Sequence, residues 1–495
     1  MRLNDGCRKD NHKSDTDMDI KELYDIFKSC SGVATDSRTI KGGELFFALK
    51  GENFDGNEYA EKALEAGAAY AVVSKDSAIA GKAGSGCPGN GSGRILAGRL
   101  IPSDNTLRTL QELARWHRSM TFVGGKPIPV IGLTGTNGKT TTKELMKAVL
   151  SVRYNVTATE GNLNNSIGVP LSLLKINADS DIAIIEMGAS HPGDIRELVS
   201  VCLPNFGLIT NVGKAHLLGF GSFEGVKKAK GELYDYLQRT ADKAFINVDN
   251  KELCKMAEER PDLQTIPYGL RFQGAEILET DSSHPFLRIA LKNENLLIKT
   301  RLVGAYNADN VMAAIAVGEY MGISHADAAK AIADYIPTNS RSQMLDTGDN
   351  TLIIDAYNAN PTSMAAALDN FAGINAADKC VMLGDMLELG SESAAEHRKA
   401  IGKVESLGIA TAFFVGKEFW KAAAMTDGRI PELTSGHGDT VCSSVVLKDG
   451  NGHATGFFLT SKDLASYLTQ HPVKGNTILI KGSRGMRMET VIPAL

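Results

Sequence analysis

The segment GLTGTNGKTTTKE (132–144) sets a glycine-rich turn ending in Gly-Lys-Thr between the apolar run Pro129–Leu133 and the helical pattern TTKELMKAVL. Glycines let the backbone fold tightly, so successive N–H groups and the helix N-terminus can surround phosphate oxygens. In such a loop Lys139 reaches the β- and γ-phosphates and the Thr140 hydroxyl sits on Mg²⁺. Gly135, Thr136, Asn137, Gly138 and Thr141 would complete such a phosphate cradle. The general pattern GxxxxGK[ST] is met imperfectly, because position 133 is Leu and the nearest glycines are 132 and 135. A turn of this composition is often only a turn. The strand before it and the helix after it favour phosphate binding.

Three more segments fall at strand ends of the same region. DIAIIEMGASHPGDI places Glu186 at the end of an apolar run. A carboxylate there is ordinarily solvated, but beside a phosphate loop it can hold Mg²⁺. LITNVGKAHLLGFGS carries Asn211 and His216 in a loop, where a lone histidine is usually a surface residue. TEGNLNNSIGVP (159–170) gathers Asn162, Asn164 and Asn165 before a helix. Asparagines in that position commonly cap helices, and only proximity to the phosphate loop would make them ligand contacts.

The elements that must position these residues follow from length and pattern. At 495 residues the chain exceeds one ordinary core, and roughly 150 residues per domain gives about three. Hydrophobic residues at 43% and charged residues at 22% exclude disorder over the whole length. A net charge of −5 implies no broad basic surface for nucleic acid or anionic membrane. The seven cysteines form no CxxC pair and their number is odd, which argues for a reducing compartment rather than a zinc site or disulfide framework. The N-terminal residues lack the apolar stretch of a secretory signal, and no apolar run approaches the roughly 18 residues of a membrane helix. A cytoplasmic protein is expected.

The fold class expected is α/β with three domains. A small mixed α/β N-terminal domain covers 1–126, with a frayed tail over 1–20 and a flexible insertion over 81–94 (GKAGSGCPGNGSGR). A central P-loop, parallel-sheet ATPase domain covers 127–338, entered through VGGKPIP (123–129). Within it, 266–303 reads as antiparallel strands, followed by helices over 308–321 and 325–335. A break near PTNSRSQ (337–343) opens a Rossmann-like, doubly wound C-terminal domain over 339–495, with TLIIDAY, KCVMLGD, TAFFVGK and NTILIKG as its apolar strands.

Taken together, these segments resemble the Mur ligases, ATP-dependent amide-forming enzymes of peptidoglycan synthesis. The family's phosphate loop reads TGTNGKT, as Thr134–Thr140 does here. Further markers are DSR (36–38), ALKGENFDG (48–56), TEGNLNNSIGVP, EMGASHPGDI, AHLLGFGS, AKGE (229–232), DAYNANPTSM (355–364), GDMLELG (384–390) and KGSR (481–484). They span nearly all the chain beyond the tail and the insertion. Within the family they point to the member that joins D-alanyl-D-alanine to UDP-N-acetylmuramoyl-tripeptide.

The resemblance implies residue roles. ATP would phosphorylate the tripeptide's terminal carboxylate, and the dipeptide amine would displace phosphate from the acyl phosphate. Lys139 and Mg²⁺ would neutralise the approaching anions. Thr140 and Glu186 would hold one metal ion, and His216 with Lys230 a second. Because an amine is a poor Mg²⁺ partner, Lys230 would act as a carbamate. Asn307, Asn310, Arg341, Asp355, Tyr357 and Asn358 would complete the ATP site. Asp36, Ser37, Arg38, Asn53, Phe54 and Asp55, with Asn162, Asn164 and Asn165, would hold the uridine nucleotide. Asp385, Lys481, Ser483 and Arg484 would border the dipeptide pocket, although ordinary surface turns explain those four equally well. One departure stands out: GAYNADN puts Tyr306 where the family often has His before Asn307. A monomer without nucleic-acid or membrane partners is implied. A ligase adding an earlier peptidoglycan residue, a folate-glutamate ligase and a non-catalytic P-loop module remain the rivals.

Overall fold

The computed structural model describes residues 18–82, 98–280, 284–337, 341–425, 428–431, 443–448 and 454–495. Most of the expected tail, residues 83–94 of the expected insertion and residues 338–340 of the second break lie outside them. The chain forms two compact units, one of them assembled from 1–128, 159–178 and 200–203, the other from the remainder.

The first unit is built on a four-stranded parallel sheet in the order Val33–Ala34, Leu45–Phe47, Tyr70–Ser74, Leu100–Ser103. Its strands are short and apolar, and Leu45, Phe46 and Phe47 are fully buried, as expected for a parallel sheet covered on both faces. Asn105 caps the helix Thr106–Ser119 by accepting from the Arg108 N–H at 2.9 Å. That helix packs on the segment Gly168–Leu173 that returns later in the chain. His117 binds the Ile176 carbonyl through Nε2 at 2.7 Å, and its Nδ1 meets the Tyr24 hydroxyl at 3.3 Å. Burial lowers its pKa, consistent with a neutral ring that donates from Nε2 and accepts at Nδ1.

In the second unit, a six-stranded parallel sheet runs Val156–Ala158, Ile182–Glu186, Val130–Thr134, Phe206–Ile209, Lys243–Asn247, Gln264–Tyr268. The strand Val130–Thr134 comes first in sequence yet lies inside the sheet, so later strands add on both of its sides. Doubly wound sheets bind ligands at such a switch point, beyond the strands' C-terminal ends. Behind it the helices Lys139–Leu150 and Ala308–Tyr320 pack so closely that a Cβ on Gly318 would stand 2.5 Å from Val149. Of the stretch 266–303 expected to be antiparallel, residues 266–268 instead belong to the parallel strand Gln264–Tyr268, because they pair in register with Phe245–Asn247. The remainder forms an antiparallel three-stranded sheet over Ala275–Ile277, Arg288–Leu291 and Leu296–Lys299.

A seven-stranded sheet carries the C-terminal region. Its parallel core runs Thr351–Asp355, Thr477–Lys481, Lys379–Gly384, Thr411–Val415, Ala454–Phe458. Antiparallel strands Gln343–Asp346 and Ser444–Lys448 close its two edges. The architecture is the expected three-domain α/β fold, with a parallel sheet in each domain. Among the described residues no helix is long and apolar enough to cross a membrane.

Candidate active site

The phosphate loop is held open by backbone conformations that favour glycine. Gly135 has φ +145, and a Cβ there would stand 1.9 Å from the Thr210 hydroxyl. Gly138, at φ +79, begins the helix Lys139–Leu150, and a Cβ on it would reach Asn310 Oδ1 at 2.5 Å. The loop after the neighbouring strand Phe206–Ile209 fixes this shape. Thr136 N–H donates to the Asn211 carbonyl at 3.0 Å, and Asn137 N–H donates to Asn211 Oδ1 at 3.0 Å. Thr210 Oγ1 and Asn211 Nδ2 both donate to the Asn137 carbonyl, at 2.6 and 3.1 Å.

Lys139 folds back over the loop, donating to the Gly135 carbonyl at 2.8 Å. Burial lowers its pKa, opposed by the nearby Glu186 carboxylate and reinforced by the Arg341 guanidinium. Thr140 Oγ1 donates to Glu186 Oε2 at 2.8 Å. The reason lies in sheet register, since Glu186 pairs with Leu133 at the end of the adjacent strand. These hard oxygen donors meet where the helix N-terminus favours phosphate.

His216 and Lys230 bring further ionisable groups. The ring of His216 binds Glu388 through Nδ1. Burial lowers the histidine pKa, Glu388 opposes that, and Lys139 and Lys230 add to it. In the run Lys227, Lys228, Lys230, the environments differ. Lys227 pairs with Glu252 at 3.0 Å and Glu224 at 3.3 Å, and Lys228 is exposed. Lys230 is 3% exposed, and its amine makes no hydrogen bond or ion pair with any described residue, lying 5.9 Å from the Phe220 ring centroid. Burial pushes its pKa well down, and Lys139 pushes it further, against Asp194. Its neighbour Glu232 instead accepts from the N–H groups of Gly193 and Arg196 at 3.0 and 2.9 Å.

Of the asparagines after Tyr306, Asn307 donates to the Val303 carbonyl at 2.9 Å and to Ser342 Oγ at 3.1 Å. Asn310 donates to Asn307 Oδ1 at 2.9 Å and accepts from Thr142 at 3.0 Å, tying this helix to the phosphate-loop helix. The Tyr306 hydroxyl meets Ser342 Oγ at 3.1 Å, and burial raises its pKa. Two guanidiniums approach the Tyr357 ring, with Arg341 3.5 Å and Arg484 4.9 Å from its centroid. Asp355 pairs with the buried Lys481 amine at 2.5 Å, while Asn358 is exposed.

The four residues expected near the dipeptide separate by environment. Asp385 accepts from the Glu418 and Phe419 N–H groups at 2.9 and 2.8 Å, which starts the helix Lys417–Ala424. Burial raises its pKa despite those bonds and His397. Ser483 is 3% exposed, accepts from Leu387 N–H at 2.9 Å and donates to the Ala359 carbonyl at 3.3 Å. Lys481 is committed to Asp355. Arg484 alone is exposed.

In the first unit, Asp36 grips Arg38, with Nη2 to Oδ2 at 2.6 Å, and also accepts from the Arg38 N–H at 2.9 Å. The guanidinium beside it lowers the carboxyl pKa to about 2. Ser37 is buried in the same turn. Asn53, Phe54 and Asp55 line a shallow concavity of about 320 Å³ with Lys50, Glu58 and Tyr59, and Phe54 stacks on Tyr59 at 5.4 Å. Asn165 Oδ1 accepts from the N–H groups of Ile167 and Gly168 at 3.2 and 2.9 Å in the turn that leads into the helix Gly168–Leu173. The Asn164 N–H donates to the Asn162 carbonyl at 2.8 Å.

Sequence reasoning passed over Thr210, Asn360 and Glu388. The Asn-Pro pair at 360–361 was a legible helix start, but nothing local pointed Asn360 at the phosphate loop or Glu388 at His216. Among the described residues no cluster of three or more His, Cys, Asp or Glu forms a ready-made metal cage.

Family comparisons agree with this geometry. The Mur ligase middle domain matches residues 133–318, the Mur ligase glutamate ligase domain 340–484, and the Mur ligase family catalytic domain 29–118. The UDP-N-acetylmuramoyl-tripeptide–D-alanyl-D-alanine ligase of Bacillus subtilis is 34% identical over 470 residues, 94% of this chain and 93% of its own. The chain belongs to the Mur ligase family. The enzyme of the same name from Escherichia coli is 32% identical to this Mur ligase, covering 97% of both chains. Crystal structure I of MurF from Acinetobacter baumannii superposes with a TM-score of 0.76 at 25% identity, covering 96% of this chain and 97% of that one. This Mur ligase is therefore an ATP-dependent, carbon–nitrogen bond-forming enzyme.

Proposed function

We propose that this Mur ligase adds D-alanyl-D-alanine to UDP-N-acetylmuramoyl-tripeptide in peptidoglycan precursor synthesis, acting as a monomer in the cytoplasm. The observation that carries this reading is full-length similarity to enzymes of that name, together with a phosphate loop whose threonine donates to Glu186 at the sheet's switch point. The domains are taken as 1–126 for the uridine nucleotide, 127–338 for ATP and 339–495 for ligation.

Amide formation from a free carboxylate is uphill in water, so the carboxylate first acquires a leaving group. A carboxylate oxygen attacks the γ-phosphorus of ATP, the bond to the β-phosphate oxygen breaks, and ADP leaves. The dipeptide amine then attacks the acyl carbon, losing a proton as inorganic phosphate departs. Lys139 stabilises the charge where two anions approach, and Gly135–Thr141 cradle the triphosphate. Asn307, Asn310, Arg341, Asp355, Tyr357 and Asn358 bound the nucleotide.

Thr140 and Glu186 fit Mg²⁺, which takes one or two protein oxygens beside substrate phosphates and water. His216 and Lys230 would hold a second ion. The unpartnered, desolvated Lys230 amine is suited to carbamylation, which would turn it into an oxygen ligand. Bound Mg²⁺ would supply Lewis-acid stabilisation of phosphoryl charge. Asp36, Ser37, Arg38, Asn53, Phe54, Asp55, Asn162, Asn164 and Asn165 would serve the uridine nucleotide. Near the dipeptide Arg484 is the exposed cation suited to a carboxylate, with Asp385, Lys481 and Ser483 shaping the loops around it.

Purified enzyme with ATP, Mg²⁺, D-alanyl-D-alanine and the UDP-tripeptide bearing either diaminopimelate or lysine tests the reading. Phosphate release that depends on the dipeptide, with a UDP-pentapeptide product by mass, is expected. Turnover with a single amino acid or with a folate instead, or nucleotide binding without dipeptide-stimulated phosphate release, would replace it with one of its rivals.

A further inference from the structure

His216 and Glu388 come from loops at the C-terminal ends of strands in two different sheets, Phe206–Ile209 and Lys379–Gly384. Both residues hold left-handed backbone conformations, at φ +50 and +64, and they are two of seven such non-glycine residues among those described. Strain of this kind persists only where surrounding structure enforces it, and it gathers at functional sites. The enforcement is visible on both sides. Behind His216, a Cβ on Gly219 would stand 2.1 Å from the Ser190 carbonyl oxygen. Before Glu388, Met386 N–H donates to Nε2 of the fully buried His397 at 3.0 Å, and Leu387 N–H donates to Ser483 Oγ at 2.9 Å. Nearby, Lys214, in the loop before His216, pairs at 3.9 Å with Glu396 on the helix Ser393–Ser406 that follows the Glu388 loop.

A carboxylate only accepts, so the proton of this contact sits on Nδ1 of His216. In the neutral ring Nε2 is then the bare nitrogen. We propose that Glu388 is a positioning residue for His216, fixing its ring orientation and its Nδ1–H tautomer, so that Nε2 is presented as a lone-pair nitrogen only while the two sheets are docked. An ordinary surface ion pair would need neither left-handed residue and would be indifferent to which acceptor occupied position 388. The proposal deepens the ligase reading and depends on it for its kinetic arm alone.

Two variants and one spectroscopic measurement test it. Glu388→Ala removes the acceptor, whereas Glu388→Gln keeps an amide oxygen in its place. Loss of a carboxylate that orients a functional histidine typically costs about tenfold to a hundredfold. The expected result for Glu388→Ala is a kcat fall of about that size, with KM for ATP and UDP-tripeptide moved by no more than roughly threefold. Glu388→Gln should recover most of the loss. Independently of any substrate, ¹⁵N-histidine spectra, with His216 assigned by its absence in His216→Asn, should show the Nδ1–H tautomer in the wild type and in Glu388→Gln. Glu388→Ala should shift toward Nε2–H. Wild-type kcat in Glu388→Ala, an Nε2–H tautomer in the wild type, or equal losses of activity and thermal midpoint in both variants would overturn the proposal. A wild-type protein without ligase activity but with the expected tautomers would instead overturn the ligase reading.

Discussion

Asn360 donates from Nδ2 to Asn137 Oδ1 at 2.7 Å, while its own Oδ1 accepts from the Ser363 N–H at 2.9 Å. One side chain thus starts the helix Pro361–Gly373 and touches the phosphate loop. Asn360→Ala should cost about 1 kcal/mol through the lost cap, read as a lower thermal midpoint. Asn360→Ser keeps the cap but is too short to reach Asn137. Its midpoint should stay near the wild type while its KM for ATP rises. Equal behaviour of the two variants would separate the contact from nucleotide binding.

Lys139→Ala should abolish most phosphoryl transfer without unfolding the protein. Losing one preorganised charge contact costs about 2.7–4 kcal/mol at the transition state, or roughly 10²–10³ in rate. Pre-steady-state acyl-phosphate formation, measured beside a circular-dichroism melt, checks both halves. Near-normal turnover would exclude the lysine from the reaction.

Lys230→Ala should lose most activity, and short carboxylates such as formate or acetate should restore part of it. The wild type should slow in CO₂-depleted buffer and recover with bicarbonate. Indifference to both treatments, with an unaltered Mg²⁺ dependence, would leave Lys230 as a buried packing residue.

His325 should make stability pH-dependent away from the site. Its Nδ1 meets Glu294 at 2.6 Å and its Nε2 meets Glu319 at 3.2 Å. Burial lowers its pKa, but the two carboxylates outweigh that and raise it above the ordinary value. The stabilisation is therefore complete below the unfolded pKa of about 6.5 and is lost as pH rises through the higher folded value. Between pH 6 and 8 the wild-type midpoint should fall more than that of His325→Gln. Parallel curves would refute the clasp.

The phosphate loop was legible because its chemistry is local: glycines, Lys139 and Thr140 lie within one turn, and the apolar strand before them announces itself. The central parallel strands were legible for the same reason, as continuous apolar runs. What the sequence hid depends on distant partners. Nothing near Lys481 indicates that its strand inserts between Thr351–Asp355 and Lys379–Gly384, which delivers its amine to Asp355. The edge strand Ser444–Lys448 lacks a buried face and so carried no strong pattern. Across VKKAKGE (226–232) the family resemblance singled out Lys230, but only the folded environment shows why, leaving its amine without an ion pair while Lys227 is paired.

The first compact unit is finished by residues 159–178 and 200–203, far along the chain from its sheet. During synthesis, then, the ribosome must deliver the whole phosphate-loop helix and three strands of the next sheet before the N-terminal unit can close. Until about residue 203 emerges, the helix Thr106–Ser119 lacks the Ile176 carbonyl that binds His117 and the Leu203 carbonyl that binds Arg118. Domains ordinarily mature one after another as the chain elongates. Here the first must wait for part of the second, and a fragment ending at residue 128 would be born with an open apolar flank and a need for chaperones.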